Sequence, residues 1–599
     1  MNAPDPIQWH TKQAQNFKTE KATLQRQKNN IAWARLATII IGGWLVYQTW
    51  PIAISLGFTM AALTIALFLW LLTRSLKLAE QINLLNQKTA LHEEELNIAD
   101  HQFTHRFTGA SLEPKSHDYS TDLDIFGQAS LFQFLHRSTS DIGHRTLAGW
   151  LLQPAPNNIL AERQEAVKEL SKKPEWSIHF QATGKLQAIS QQTEEKMADW
   201  LQQPPSFQQP FWRLLAVLFP LLSLTTLLLH ILDIIAAPQF YLLVLFYLLL
   251  AFYITRRVVP QYRTLDKIVA ELSTLSAALH CIETAGFTST LLRNAHNTLQ
   301  PPQMPAASRS IQLLRKILDR FDYRLNPLVF LPLNTFLLWD LQQILALEKW
   351  KSLRNQKIQE WFVVLGELEA LNSFGRLAFN QPGYSYPILS ENAGDFSGKQ
   401  IGHPLIAAGK RVDNIFSSTG QPSIALITGS NMAGKSTFLR SIGLNQVLAM
   451  AGAVACAQEL TVSNMRIMSS MRIADNLEEN TSTFYAELRK LKSIIEAVNQ
   501  HQPVFLLLDE ILRGTNSQDR QTGSKALLKQ LIKQGACGML ATHDLTLTEL
   551  SAQHPAAIHN YHFDVAVNGE ELYFDYTLKP GICHSMNASI LMKKIGIDL

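Results

Sequence analysis

Between Leu36 and Thr73 the chain carries no Asp, Glu, Lys or Arg. A helix needs about 20 predominantly apolar residues to cross a bilayer. The run is therefore long enough for two crossings, with Pro51, beside Trp50, as the turn between them. A second run, Leu214 to Thr255, contains only Asp233 of those four residue types, set near Pro238 between two apolar stretches. Helices in the core of a soluble domain are shorter than either run, so the pattern predicts two transmembrane hairpins rather than buried core. Composition points the same way, since only 17% of residues are charged against roughly 25% in soluble domains.

The flanks give an orientation. Lys12, Lys18, Lys21, Arg26 and Lys28 precede the first hairpin, and Arg74 and Lys77 follow it. Arg213 precedes the second, Arg256, Arg257 and Arg263 follow it, and neither turn contains Lys or Arg. By the positive-inside rule both turns lie outside and both termini are cytoplasmic, as in a multi-pass protein of a bacterial-type inner (cell) membrane. The polar N-terminal tail is unlike a cleavable signal peptide. A further apolar stretch, Leu325 to Leu347, is interrupted by Asn326, Pro327, Asn334 and Asp340. An odd crossing there would move the rest of the chain outside, so it is expected to be a buried helix on the cytoplasmic bundle. The four cysteines are far apart, with no C-x-x-C pair, which argues against a metal site or disulfide framework. A net charge of +4 establishes no nucleic-acid partner.

The strongest chemical signal is Ile424-Ala-Leu-Ile-Thr-Gly429-Ser430-Asn431-Met432-Ala433-Gly434-Lys435-Ser436-Thr437. A buried strand leads into G-x-x-x-x-G-K-S, and a helical segment follows. In that setting the loop N–H groups wrap phosphates at a helix N-terminus, Lys435 meets the β/γ-phosphates, and Ser436 reaches Mg²⁺. Further on, the apolar run Val504-Phe-Leu-Leu-Leu delivers Asp509 to the metal shell, with Glu510 placed to orient or deprotonate water. Two carboxylates could also simply end an exposed strand. A third run, Gly538-Met-Leu-Ala-Thr542-His543, sets His543 at another strand tip, where it can sense the γ-phosphate or serve as a hydrogen-bonded structural residue.

Residues 429–437 resemble the P-loop of the MutS mismatch-repair family, whose Asn-Met pair is unusual. Asp509-Glu-Ile-Leu-Arg-Gly-Thr-Asn-Ser-Gln-Asp519 is similar to that family's Walker B and following loop, and Ala541-Thr542-His543 to its switch histidine. Ser482-Thr483-Phe484 with Glu487 matches the S-T-F-x-x-E segment that stands where transporter ATPases carry L-S-G-G-Q, and Lys579-Pro-Gly581 with Ser585 is similar to the C-terminal segment. The resemblance implies Mg²⁺-dependent ATP hydrolysis by a homodimer, with Lys435, Glu510 and His543 as the catalytic group and Ser436 and Asp509 on the metal. It implies that Ser482 reaches the nucleotide of the partner copy, and that Phe416 and Tyr576 are candidates for stacking on adenine.

A weaker resemblance to the MutS core runs upstream through Asp124-Ile-Phe-Gly, Ser130-Leu-Phe, Thr139, Gly143, Arg145, Leu147, Trp150 and Glu162-Arg-Gln164, and Leu365-Gly-Glu-Leu-Glu resembles a lever helix. The expected fold is an α/β P-loop (ABC-like) ATPase domain at the C-terminus, preceded by an all-α core and lever region and four transmembrane helices in two hairpins. The expected segments are a cytoplasmic tail (1–31), hairpin 1 (32–74), a linker helix (75–111), a core segment (112–211), hairpin 2 (212–259), a lever region (260–380) and the ATPase domain (381–599). The chain departs from the family pattern in having no Phe-x-Glu triplet, the family's mismatch wedge, and no room before Asp124 for the mismatch-reading domains. The expectation is a membrane-anchored ATP-driven switch that binds DNA without mismatch recognition, Arg309, Arg315, Lys316, Arg320 and Arg324 being available for phosphates or simply forming a solvated face. The competing expectation is a membrane transporter or remodelling machine with no DNA role, against which the S-T-F segment and the uncharged membrane runs both argue.

Overall fold

The computed structural model describes residues 5–207, 209–265, 268–354, 357–430, 432–472, 483–568 and 571–583. The chain opens with two very long antiparallel helices, α1 (Pro6–Thr49) and α2 (Ile54–Ala99), hinged where Pro51 was expected to turn the chain. Asp5 caps α1 by accepting the Ile7 N–H at 3.1 Å, and Pro6 occupies the first turn, where its missing N–H costs nothing. At 1.5 Å per residue, the 44 residues of α1 span about 66 Å, twice a bilayer core. Residues 6–31 are thus no tail but the lower half of α1, and the expected linker helix is the lower half of α2, ending at Ala99 rather than near 111. In the upper half a Cβ on Gly42 would lie 2.2 Å from Thr64 Cγ2, so the missing side chain is what lets the two backbones approach.

A helical core follows: α3 (Leu131–Leu135), α4 (Asp141–Leu152), α5 (Asn157–Ser171), α6 (Pro174–Gly184) and α7 (Gln191–Gln202). The second hairpin is α8 (Pro210–Ile231) and α9 (Ala237–Leu265). Then come α10 (Val269–Glu283), α11 (Thr290–Leu299), α12 (Ala307–Phe321), α13 (Pro327–Leu337) and α14 (Trp339–Arg354). The last of the series, α15 (Ile358–Asn380), packs along α4 and α5 and leads into the C-terminal domain. Among the described residues, α1, α2, α8 and α9 are each long and apolar enough to cross a membrane. Their apolar stretches face outward: Ile40, Ile54, Phe58, Leu222, Leu242 and Phe252 are all more than 60% exposed. An apolar surface of that extent marks a site of contact with a membrane or another protein.

The stretch Leu325–Leu347 is not the buried helix expected. It is two helices, α13 and α14, bent by 78° at Leu338, whose φ of 46° lies in the left-handed region. Pro332 and the buried polar side chains of Asn334 and Asp340 break the apolar run, and one face of α13 remains exposed.

The C-terminal domain holds two sheets. The smaller pairs β1 (Ile388–Ser390), β2 (Phe396–Ile401), β3 (Asn414–Ser418) and β5 (Glu459–Ser463) in the order β1-β5-β2-β3. The larger has the order β10-β9-β4-β8-β7-β6, from β4 (Ser423–Thr428), β6 (Arg466–Ser470), β7 (Val504–Asp509), β8 (Cys537–Ala541), β9 (Ile558–Asn568) and β10 (Glu571–Pro580). It is parallel except for β10. Helices α16 (Lys435–Ala451), α17 (Thr483–Asn499), α18 (Ser517–Lys533) and the short α19 (Leu550–Gln553) complete it. Strands β4, β7 and β8 are buried throughout, as their unbroken apolar runs require of central parallel strands.

Candidate nucleotide site

Strand β4 ends at Thr428, just before Gly429, and α16 starts at Lys435 after Gly434, whose φ of 102° only glycine adopts without strain. A Cβ on Gly429 would meet the Phe563 carbonyl oxygen at 2.8 Å. These two glycines let the loop turn tightly onto the N-terminus of α16, where unpaired N–H groups and the helix dipole favour an anion. Within the loop Met432 is 77% exposed and Ala433 is buried. Asn431 and Ser482 lie outside the described residues, as does Ser585.

Lys435 is buried and donates to the loop carbonyls of Gly429 and Ser430, both at 2.9 Å. Burial pushes its ammonium below the usual lysine range, and the carboxylates of Glu510 and Asp509 oppose that shift. Ser436 Oγ donates to Asp509 Oδ2 at 2.5 Å, while Asp509 Oδ1 is buried and has no hydrogen-bond partner. Burial raises the Asp509 carboxyl pKa. A buried, unpartnered carboxylate oxygen beside a serine hydroxyl at a phosphate-binding helix fits a divalent cation. Ser436 and Asp509 are thus a fitting donor pair for Mg²⁺.

Glu510 sits just past β7 with φ 48°, its N–H bonded to the Ala541 carbonyl at 2.9 Å. This strained turn aims the side chain across the mouth of the site. Oε1 lies 2.5 Å from His543 Nε2 and Oε2 lies 3.0 Å from Arg513 Nε. The hydrogen bond from His543 holds the Glu510 carboxyl below its usual range. Lys435 Nζ is 3.5 Å from the same imidazole nitrogen, so Lys435, Glu510 and His543 converge. Arg513, three residues past Glu510, is the member that sequence reasoning missed. Glu487 is buried and accepts the Leu512 N–H, fastening α17 to the turn that follows β7.

A cleft of about 560 Å³ opens beside the loop, lined by His403, Ile406, Arg411, Val412 and Tyr576. Tyr576 is at its edge, fixed by Asn414, which donates to its carbonyl at 3.1 Å and accepts the Leu578 N–H at 2.7 Å. Phe416 is not in the cleft. It is 2% exposed and packed among Phe396, Phe438 and Tyr561. Side chains alternate across β3, so Asn414, Phe416 and Ser418 point inward and Ile415 outward. The expectation of Phe416 as an adenine-stacking residue is corrected to a core position.

The core segment meets this domain through two aspartates. Asp122 is 1% exposed and accepts from Ser469 Oγ at 2.6 Å, Arg472 N at 3.0 Å and Lys490 Nζ at 2.5 Å. Asp124 pairs with Arg472 and lies 3.7 Å from Arg440 on α16.

A phosphate-binding loop between a central parallel strand and a helix, with a carboxylate pair on the next strand but one, defines a P-loop nucleotide-binding domain. Residues 425–595 match the family model for MutS domain V. The DNA mismatch repair protein MutS of Natronomonas pharaonis is 31% identical over 266 residues, 42% of this chain and 30% of that protein. MutS of Chlorobium phaeovibrioides is 33% identical over 228 residues, 37% and 26% of the two chains. Human MutS protein homolog 4 is 33% identical over 211 residues, 33% and 22%. The similarity to the MutS family is carried by this domain. The shared segments span less than a third of these relatives' own lengths.

Proposed function

We propose that the protein is a membrane-anchored ATPase that works as a dimeric, ATP-driven switch and binds DNA without reading mismatches. The observation that carries the ATPase reading is the convergence of Lys435, Ser436, Asp509, Glu510 and His543 on the mouth of one loop. Ser436 and Asp509 would hold Mg²⁺, which when bound neutralises charge on the phosphates. Lys435, released from the carbonyls of Gly429 and Ser430, would turn to the phosphates. Glu510, released by His543, would orient the attacking water, and His543 would then face the γ-phosphate. Each of these residues must exchange an internal partner for the nucleotide.

The membrane reading rests on the exposed apolar surfaces of α1, α2, α8 and α9 and on their charged ends. The dimer, the role of Ser482 in the partner's site and the DNA partner rest on the MutS resemblance. The segments 1–31, 32–74, 75–111, 112–211, 212–259, 260–380 and 381–599 stay as proposed functional units, with α1 and α2 running unbroken across the boundaries at 31 and 74. Of the basic residues suggested for DNA, Arg309, Arg315, Lys316 and Arg320 are exposed on α12, whereas Arg324 is paired with Asp340 at 2.7 Å.

The test is ATP hydrolysis by the full chain in nanodiscs, with Glu510→Gln as control and with linear, mismatched or branched DNA at two salt concentrations. Salt-sensitive stimulation without mismatch preference is expected. Turnover that depends on Glu510 yet ignores every DNA would replace the DNA switch with a membrane transport or remodelling machine.

A further inference from the structure

The run from Leu325 to Trp339 contains no charged residue, and it is bracketed by Arg324 and Asp340. Its exposed large apolar side chains, Leu325, Leu328, Val329 and Leu331, are 80%, 87%, 42% and 53% accessible. Of its polar side chains, Asn326 is exposed as the cap of α13, accepting the Leu328 N–H at 3.1 Å, and the others point the other way. Asn334 and Thr335 are buried, Asn334 Nδ2 donates to Thr255 Oγ1 of α9 at 2.9 Å, and Thr255 Oγ1 donates to Asp340 Oδ2 at 2.7 Å. Carbonyls at the end of α13 are satisfied too: Phe336 O accepts from Ser223 Oγ of α8, and Leu337 O from Gln342 Nε2 at 2.8 Å. A helix whose outer face is apolar beyond its Asn326 cap, and whose other polar groups are paired inward, meets the conditions for contact with hydrocarbon.

The segment also returns to the side it left. Tyr323 stacks on Trp339 with centroids 5.7 Å apart, and at the other end of the pair Trp350 Nε1 donates to the Ser310 carbonyl at 2.8 Å. Helices α12 and α14 therefore run antiparallel, with α13 as an excursion between them. Lys351 reaches the Gln203 carbonyl at 2.6 Å and Glu348 accepts the Phe207 N–H at 3.0 Å, tying α14 to the chain just before α8. Ser223, where α13 touches α8, lies about 15 Å past Arg213 at 1.5 Å per residue, half of a roughly 30 Å hydrocarbon core.

We propose that α13 is a membrane-inserted wedge that buries Leu325, Leu328 and Leu331 among the lipid acyl chains of the leaflet facing the ATPase domain, and returns without crossing. The inference rests on the reading of α8 and α9 as a membrane hairpin, because the apolar face of α13 continues theirs. Arg320, exposed on α12, and Arg324 then lie at the headgroup level of that leaflet, which is where the positive-inside rule sets basic residues. The wedge gives a lever helix, α14, direct purchase on one leaflet.

The four native cysteines are buried, so single introduced thiols can be labelled in the full chain. Bimane would be attached at Leu328→Cys, at Leu222→Cys in the hairpin, and at Ile388→Cys on the ATPase domain, and the protein reconstituted with doxyl-labelled phosphatidylcholine. At least twofold quenching at positions 328 and 222, and none at 388, is expected. Quenching at 222 without quenching at 328 would overturn the wedge and leave the hairpin standing, whereas quenching at neither would remove the membrane reading itself. In sealed proteoliposomes, Arg320→Cys and Lys349→Cys should react with an impermeant thiol reagent from the same side. Reaction from opposite sides would make the segment a fifth span and refute the return.

Discussion

Replacing Glu95 with Gln should uncouple the first hairpin from the helix that enters the ATPase domain. Glu95 is on α2 and is 4% exposed. Both its oxygens accept from Arg137, at 2.9 and 2.7 Å, Asn380 Nδ2 of α15 donates to Oε2 at 2.7 Å, and Arg376 Nε of α15 is 3.9 Å away. These partners hold its carboxyl well below the usual range even though burial pushes it up. Gln at this position keeps the shape and removes the charge, leaving two buried guanidiniums without a counter-ion; burial already pushes the Arg376 pKa down to about 10. Removing one partner of a buried pair costs about 3–5 kcal/mol. At 1.36 kcal/mol per tenfold, that is roughly two to three and a half orders of magnitude in the local opening equilibrium. Hydrogen exchange of the amides in α2 near His92–Ile98 and in α15 near Arg376–Asn380 would read it directly, without assuming two-state unfolding of a large chain. The control is Glu459→Gln, whose partner Lys399 is 2.7 Å away but whose side chains are 63% and 60% exposed, so less than about 1 kcal/mol is at stake. If E95Q changes protection no more than E459Q does, the network is not what joins these helices.

Protonation should open the same junction. His10 Nδ1 lies 2.8 Å from His92 Nδ1, and His10 Nε2 lies 3.0 Å from Asn380 Oδ1, so the neutral pair is satisfied when His10 carries its proton on Nε2 and His92 on Nδ1. Burial is the main cause that pushes His10 down to about 4 and His92 down to about 3. The unfolded imidazole titrates near 6.5, so their stabilisation is whole above that pH, declines as pH falls to about 4, and is worth about 3 kcal/mol for His10 alone; a thermal midpoint that stays flat from pH 7 to 4.5 would contradict it. Asp122→Asn should cost about 1.5–3 kcal/mol by weakening charge-assisted bonds from Lys490 and the strand end, and should lower the unfolding midpoint of the C-terminal domain. Gly443→Ala should destabilise by about 1–3 kcal/mol, because its Cβ would sit 2.7 Å from Leu507 and 2.8 Å from Leu123. Gly149→Ala, with no atom within 4 Å of the added Cβ inside α4, should gain about 0.5–1 kcal/mol in the same denaturation assay.

Sequence reasoning reached the features written in contiguous residues. The turn at Pro51, the presence of two apolar helices between residues 210 and 260, and the loop from Gly429 to Ser436 follow from local composition, where one stretch of chain meets one physical demand. It failed where parity or partners decide. Whether Phe416 or Ile415 faces inward is a matter of one residue of register on β3, and nothing local fixes it. The run Leu325–Leu347 looked like one helix because the bend at Leu338 depends on Asn334 and Asp340 finding Thr255, some 80 residues earlier. Read by polarity alone, residues 5–31 are a tail, whereas His10 and Phe17 are held by His92 across the hairpin. Asp122 and Asp124 opened the core resemblance, but their contacts with Lys490, Arg472 and Arg440 join segments more than 300 residues apart.

The long-range contacts share one feature that bears on mechanism. Along α15, Glu369, Asn372, Arg376 and Asn380 recur at helical spacing, and all but Asn380 are buried. Glu369 accepts from Ser140 Oγ at 2.7 Å and from Thr139 Oγ1 at 2.6 Å, Asn372 from Ser177 Oγ at 2.5 Å, and Arg376 donates to Ser177 Oγ at 2.7 Å. An apolar seam could slide by a fraction of a turn at small cost, but this seam is directional. Any slip would leave several buried polar groups unpaired together, at about 1–3 kcal/mol each. Helix α15 should therefore move as one body with α4, α6 and the lower half of hairpin 1, so that displacement at its Gln381 end arrives at the membrane undiminished. A double-mutant cycle measures that rigidity. Glu95→Gln and Asn380→Leu, which share a hydrogen bond, should show a coupling of about 0.5–3 kcal/mol in the exchange of α15. Strict additivity would mean that the seam is a row of independent contacts, and α15 would then be free to shift against hairpin 1.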